Sequence, residues 1–387
     1  MSEYEGREQS LVKHIVLRKY LGRFAHIIFS WKPAITYVDC FSGPWQVKTA
    51  DFSDSSFAIA LDEMRKARET WRQKRPNRQI RCFFLEKDKK AYRKLQAFAQ
   101  SVQDAEIATK NAKLEDAVND ILDFVDKGGP DSFPFFLIDP TGWTGFELDV
   151  IEPLLKRQPA EVLVNLMTSF IRRFIKSPDL DTNRSFERTF GRYRPKLAAL
   201  QGLSEEDLDD AIVDAYCKLV HETGSYPYVS SAIILDPEID STHYRLIYAT
   251  RNLKGIEAFK QAEQSAMPIQ EEVRAQIRGK KLDSKGPLLF PPASMGRPQH
   301  YDSLRDRYSQ RARHAAVSMI KATPEVSYDD IFAAALAYPA VWESDIKRWV
   351  REWHLANQIE LIGLKGGSRT PKHSCGIRLR RLKNIEA

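Results

Sequence analysis

The feature that most constrains this sequence is a rhythm of five short apolar runs separated by longer stretches of helical character. The runs are residues 35–43, 80–86, 105–109, 133–139 and 161–167. They are short, bounded by turn signals and rich in β-branched or aromatic residues, as in Ile80-Arg-Cys-Phe-Phe-Leu-Glu86 and Phe133-Pro-Phe-Phe-Leu-Ile-Asp139. That pattern predicts buried strands. Ahead of them, Val12, Val16, Tyr20, Phe24, Ile27 and Ile28 recur at helical spacing over 10–31, and Pro33 follows, as at a helix end. A Lys/Arg-rich helix over 57–75, a helix over 89–100 and another reaching Val125 fill the gaps. Alternating strands and helices predict an α/β, Rossmann-like domain with a mostly parallel, doubly wound sheet. Apolar side chains in succession fit strands covered on both faces.

The pattern then changes. A helix over 203–221 has Ser204 as its N-cap and Glu205, Glu206 and Asp207 in its first turn, where carboxylates complement the helix dipole. Two late strands follow, at 229–235 and 244–250. Five parallel strands and a late pair match the strand count of a class I methyltransferase sheet, with a helical insert near 170–225. Residues 279–300 read as a linker, since Pro287, Pro291, Pro292 and Pro298 and three glycines lie there without periodicity. The tail reads as three helices (304–322, 328–338 and 343–357) and two strands (359–364 and 376–382). That is the order of a winged helix-turn-helix. The expected domains are 1–278, a linker at 279–300, and 301–387.

The net charge is +7, and residues 301–387 carry 15 Lys/Arg against 10 Asp/Glu, a surplus of +5. An acidic partner such as DNA or RNA is therefore expected at the tail. Cys40, Cys82, Cys217 and Cys375 are far apart, which argues against a zinc or iron–sulfur site and for a reducing cytoplasm. No apolar run approaches the ~20 residues of a membrane span, and the N-terminus lacks a signal pattern.

Three motifs stand at strand ends, where open α/β sheets place ligands. In Asp39-Cys-Phe-Ser-Gly-Pro-Trp45, Gly43 allows close backbone approach and Asp39 holds the loop or the ligand, with Phe41 between them. Such a loop passes under the methionine part of S-adenosylmethionine (SAM), although Trp45 stands where a second glycine is usual. Glu86 ends the second strand, where a carboxylate accepts both ribose hydroxyls of a nucleoside cofactor. Asn111 follows the third strand, where an aspartate commonly contacts adenine. In Ile138-Asp139-Pro-Thr-Gly-Trp143, Asp139 and Pro140 fit the acceptor site of amino-methylating enzymes, with Trp143 as the stacking ring. Each motif alone also reads as an ordinary turn. Their order along the chain favours one cofactor site.

The segments Asp39-Cys-Phe-Ser-Gly-Pro44, Ile138-Asp-Pro-Thr-Gly-Trp143, Val164-Asn-Leu-Met167, Phe186-Glu-Arg-Thr-Phe-Gly191 and Tyr244-Arg-Leu-Ile-Tyr-Ala-Thr250 resemble the three-Cys-motif partner protein (TcmP) family over roughly 10–266. The tail resembles the winged-helix domain at the end of some such proteins. The resemblance implies a methyltransferase-like fold and a partner with a three-cysteine, radical-SAM-like motif.

In the tail, Trp342, Ile346, Trp349, Val350 and Trp353 share one helical face and are expected in the core. The nucleic-acid candidates are Lys347, Arg348 and Arg351 on the third helix, and Arg369, Lys372, Arg378, Arg380 and Arg381 on the hairpin. No acidic residue lies between Leu361 and Ile385, so this face can neutralise phosphates; a protein-docking hairpin is the alternative. The leading expectation is SAM-dependent methyl transfer to nucleic acid. The alternative is a binding protein of the same fold without the chemistry.

Overall fold

The computed structural model describes residues 8–43, 52, 54–140, 142, 144–175, 177, 179–283, 299–364, 370–383 and 385. The chain divides into two units, 1–229 with 233–251, and 230–232 with 252–387.

The first unit is built on a mixed, mostly parallel sheet of β1 (Ala34–Asp39), β2 (Gln79–Leu85), β3 (Glu106–Lys110), β4 (Ser132–Ile138), β5 (Glu161–Leu166), β6 (Tyr228–Leu235) and β7 (Thr242–Thr250). The strand order is β3-β2-β1-β4-β5-β7-β6. β1 pairs in parallel with β2 and β4, β2 with β3, and β4 with β5, whereas β7 runs antiparallel to β5. Every residue of β1, β4 and β5 is buried. The weakest of the five sequence runs became β3, the edge of the sheet, with no fully buried residue.

The helices are α1 (Glu8–Phe29), α2 (Ser56–Trp71), α3 (Lys89–Ser101), α4 (Val118–Lys127), α5 (Leu148–Lys156), α6 (Thr168–Phe174), α7 (Leu180–Phe190) and α8 (Glu205–Gly224). Helix α1 buries Val12, Val16, Tyr20 and Phe24. Its Tyr20 hydroxyl donates to the buried Glu161 of β5 and lies 2.8 Å from the Tyr248 hydroxyl of β7, while Thr250 donates to the other Glu161 oxygen at 2.7 Å. Burial raises the Glu161 carboxyl above its usual range, and these hydroxyls are what a carboxylate taken out of water requires. Ser204 caps α8 as its sequence implies, accepting from Asp207 N at 3.1 Å.

The second unit contains α9 (Leu253–Asp283), α10 (Gln299–Ala322), β8 (Glu325–Ser327), α11 (Tyr328–Leu336), α12 (Glu343–Leu355), β9 (Ile359–Ile362) and β10 (Arg378–Arg381). Helix α9, most of which the expected boundary at 278 puts in the first domain, falls here. Its Lys260 donates to the Tyr338 carbonyl at 2.8 Å and its Glu263 accepts from Ala340 N at 2.9 Å. The expected linker at 279–300 is accordingly helical at both ends, and 284–298 lie outside the described residues. A three-stranded sheet runs in the order β8-β10-β9, antiparallel throughout. Strand β8 is too short to leave a periodic signal and was not anticipated. Trp349 and Trp353 are each 1% exposed, as their shared face implies. Trp342 is half-buried, with the Arg305 guanidinium 3.8 Å from its ring centre. Among the described residues no helix is long and apolar enough to cross a membrane.

Candidate cofactor and acceptor site

The chain leaves β1 for β2 and β3 on one side, then returns to β4 on the other, so the strand order reverses between β1 and β4. Such a switch point opens a crevice beyond the carboxyl ends of the strands. In register Asp39 lies level with Phe84 of β2 and Leu137 of β4, which brings three strand ends to one rim. A cleft of about 370 Å³ occupies that rim. Cys40 and Phe41 line it after β1, Glu86 and Lys87 after β2, Ala112 to Glu115 after β3, and Pro140, Gly142 and Gly145 after β4. Gly145 has φ +87°, a backbone state that favours glycine, and the Cβ it lacks would stand 4.0 Å from the Phe41 ring.

Asp39 is fully buried and does not line the cleft; it builds the turn beside it. Its Oδ1 accepts from Phe41 N at 3.1 Å and its Oδ2 from the Ser56 hydroxyl at 2.6 Å, while the Ser42 hydroxyl donates to the Asp39 carbonyl at 2.8 Å. Burial pushes its carboxyl up to about 6, against the hydrogen bonds from Ser56 and Phe41 that favour the charged form. Ser42 N donates to the Leu85 carbonyl at 2.8 Å, fastening the turn to the end of β2. Gly43 follows but is not part of the cleft lining, and Pro44 and Trp45 lie outside the described residues. Burial pushes the Cys40 thiol far up, so it is no nucleophile at neutral pH.

Glu86 is 3% exposed yet faces the cleft. Its Oε1 accepts from Asp88 N at 2.5 Å, and among the described residues Oε2 makes no hydrogen bond. Burial raises this carboxyl above its usual range. Asn111, expected to touch a base, is committed elsewhere. Its amide donates to the Glu86 carbonyl at 2.7 Å and the Lys87 carbonyl at 3.0 Å, and it does not line the cleft. A polar group just past an edge strand satisfies the nearest backbone acceptors first, and here they belong to the neighbouring strand end.

Asp139 differs from expectation in its company. Lys13 of α1 places Nζ 2.5 Å from Asp139 Oδ2, and Asn165 of β5 donates to Oδ1 at 2.7 Å. The Asn165 Oδ1 is buried and accepts no hydrogen bond among the described residues. Neither partner was anticipated. Asn165 left a signal, as a lone amide inside an apolar strand; Lys13 left none, because a lysine on an amphipathic helix is ordinary. Pro140 lines the cleft, and Thr141 and Trp143 lie outside the described residues.

Of the eight basic candidates in the tail, four meet carboxylates. Lys347 pairs with Glu343 at 2.5 Å and Arg348 with Asp345 at 3.2 Å. Arg378 reaches Glu325 at 3.1 Å, and Arg380 reaches Glu325 at 2.7 Å and Glu360 at 3.0 Å. The acid-free stretch of sequence thus meets its carboxylates across the sheet, from β8 and β9. Arg381 donates to the Lys321 carbonyl at 2.9 Å. Among the described residues Arg351 and Lys372 are exposed and without an ion pair. Arg369 lies outside them. His373 pairs with Glu257 at 2.8 Å and stacks on Phe332.

No family model and no curated protein sequence matches the chain. Among solved structures, a Legionella pneumophila protein of family DUF519 is similar at 12% identity, covering 63% of this chain and 85% of its own, with a TM-score of 0.33. A loganic acid methyltransferase solved with SAH is similar at 9% identity, covering 70% and 88%, with a TM-score of 0.28. A candidate methyltransferase from Thermobifida fusca is similar at 10% identity, covering 62% and 81%, with a TM-score of 0.28. At such scores the likeness carries no argument, and the chemistry of the cleft rests on its own residues.

Proposed function

We propose that the first unit is a SAM-dependent methyltransferase domain that acts on or with nucleic acid through the C-terminal tail. The observation that carries this is the strand order β3-β2-β1-β4-β5-β7-β6 with β7 reversed, combined with a cleft at its switch point. That is the arrangement of class I methyltransferases. The cleft suits a nucleoside cofactor in size, and Glu86 Oε2, without a hydrogen bond among the described residues, can accept from a ribose hydroxyl. Phe41 and the turn fastened by Asp39, which leads into Gly43, border the same space. When bound, SAM supplies an electrophilic methyl group. The protein's part is positioning: Asp139 and the Pro140 carbonyl orient an acceptor amine, and the orphaned Asn165 Oδ1 is an acceptor that an N–H donor would satisfy. Trp143 is the proposed stacking ring.

The order α10-β8-α11-α12-β9-β10 and the sheet order β8-β10-β9 support a winged-helix reading of the tail, with α12 as the helix that enters a groove. Lys347, Arg348, Arg351, Arg369, Lys372, Arg378, Arg380 and Arg381 are its proposed phosphate contacts, led by the unpaired Arg351 and Lys372.

One observation favours the second reading, a non-catalytic protein of the TcmP type that works with a three-cysteine, radical-SAM-like partner. The ammonium of Lys13 already sits on Asp139, where an acceptor amine is needed. Calorimetric titration with SAM separates the two. Micromolar binding supports the enzyme, and no binding at millimolar SAM removes it. With binding in hand, Lys13→Met is expected to raise methyl transfer to nucleic acid if the lysine blocks the acceptor, and to lower it if the lysine instead positions the Asp139 carboxylate.

A further inference from the structure

The sheet has a second charged site, at the opposite ends of its strands from the cleft. From the second half of α2 to the start of β2 the sequence Arg65-Lys-Ala-Arg-Glu-Thr-Trp-Arg-Gln-Lys-Arg-Pro-Asn-Arg78 holds seven basic residues and one acidic. Helix α2 ends at Trp71, and a turn through Asn77 at φ +65° doubles the chain back into β2. Arg68, Arg72, Arg75 and Arg78 thereby line one concavity of about 310 Å³, with Glu69 and Asn77.

The charge inside it is unevenly compensated. Arg68 is held by Asp104, and Arg72 lies 3.3 Å from Glu69. Arg75 has no carboxylate partner among the described residues. Arg78 spends its Nε on the Phe29 carbonyl at 2.9 Å, and burial together with the neighbouring Arg75 lowers its pKa. Two guanidiniums that repel each other in a shared hollow are an arrangement that a bound anion stabilises. The end of α1 forms the neighbouring edge: the His26 carbonyl accepts from Trp71 Nε1 at 3.1 Å. Two residues past Phe29, Trp31 leaves 54% of its surface exposed, with Lys32 Nζ 5.1 Å from its ring centre.

We infer that this face binds single-stranded nucleic acid, the arginine hollow taking phosphates and Trp31 offering a face for a base. The chemistry is that of sequence-tolerant strand binding: a cationic groove with an aromatic platform beside it. Arginine forks match phosphate oxygens in pairs. The hollow is concave, which suits a strand better than a flat anionic bilayer. The inference goes beyond the proposed function and does not depend on it, because among the described residues the hollow is lined only by α2 and the turn into β2, and shares no residue with the cleft.

The test uses the full-length protein and a fluorescein-labelled 30-nucleotide single strand, read by anisotropy across a salt series. Arg72→Glu/Arg75→Glu changes two exposed side chains and is expected to keep the thermal transition. Two lost phosphate contacts should lower the slope of log affinity against log salt by about 1.4 and the affinity at 0.15 M salt by roughly tenfold. Trp31→Ala should weaken binding roughly 5- to 150-fold and leave the slope unchanged. Unchanged affinity and slope in the arginine variant overturn the inference. So does a poly-glutamate peptide whose binding is lost while that of the strand persists, which would make the hollow a dock for acidic protein. SAM titration of the same variant, and Arg351→Glu/Lys372→Glu in the tail, keep the readings apart. Loss of strand binding in the tail variant alone overturns this site and spares the proposed function.

Discussion

Replacing Asp39 by asparagine tests the central physical claim about the cleft, that the turn beside it is built on a buried carboxylate. Asp39 is fully buried and its pKa rises from 3.8 to about 6. The folded state therefore prefers the protonated form. The stability attached to that proton is complete below pH ~4, declines as the pH rises through about 6, and is gone near pH 7. Two pKa units correspond to about 3 kcal/mol. Asparagine cannot ionise, can accept from Phe41 N through its own Oδ1, and can donate to Ser56 through its amide. The stability of Asp39→Asn relative to the parent should thus improve by about 3 kcal/mol between pH 4 and pH 7. For a unit of roughly 250 residues that is a change of about 6 °C in the difference between the two melting temperatures. Scanning calorimetry of both proteins at pH 4, 5, 6 and 7 measures it, and the raised carboxyls of Glu86 and Glu161 cancel because both proteins share them. Melting curves that stay parallel at every pH would show that Asp39 is solvated or compensated, and that the turn is not built as described.

Three further perturbations address the other parts. Glu86→Ala should weaken SAM binding by roughly 1–3 kcal/mol, the cost of leaving buried polar groups unmatched; an unchanged calorimetric Kd would take Glu86 out of the site. Glu325→Gln removes the carboxylate shared by Arg378 and Arg380 and should strengthen duplex binding and steepen its salt slope by about 1 to 2. No change in either would mean that these arginines do not face the nucleic acid. Trp349→Ala empties a core site and should cost about 3–5 kcal/mol, lowering the melting transition of the second unit while that of the first remains; a shift under about 2 °C would contradict the core assignment.

The cleft was only partly legible. Glu86 and Pro140 could be placed on its rim because the ends of adjacent parallel strands meet whatever the helices do. Asn111 misled because its nearest hydrogen-bond acceptors come from another strand, which spacing along the chain does not reveal. The same blindness made the hairpin look more basic than it is, since Glu325 and Glu360 lie far from Arg378 and Arg380 in sequence and opposite them in the sheet.

Local sequence determined what local physics controls: the buried strands, the amphipathic faces of α1 and α12, and the Ser204 cap. These follow from side-chain periodicity and from donors and acceptors three residues apart. Tertiary structure alone decided which charges meet. It set Lys13 against Asp139, Asn165 beside them, and Arg75 near Arg78 in one hollow, and it assigned α9 to the second unit. Coulomb and hydrogen-bond energies depend on distance in space, and a chain that doubles back on itself brings remote residues within a few ångströms without any mark in their spacing.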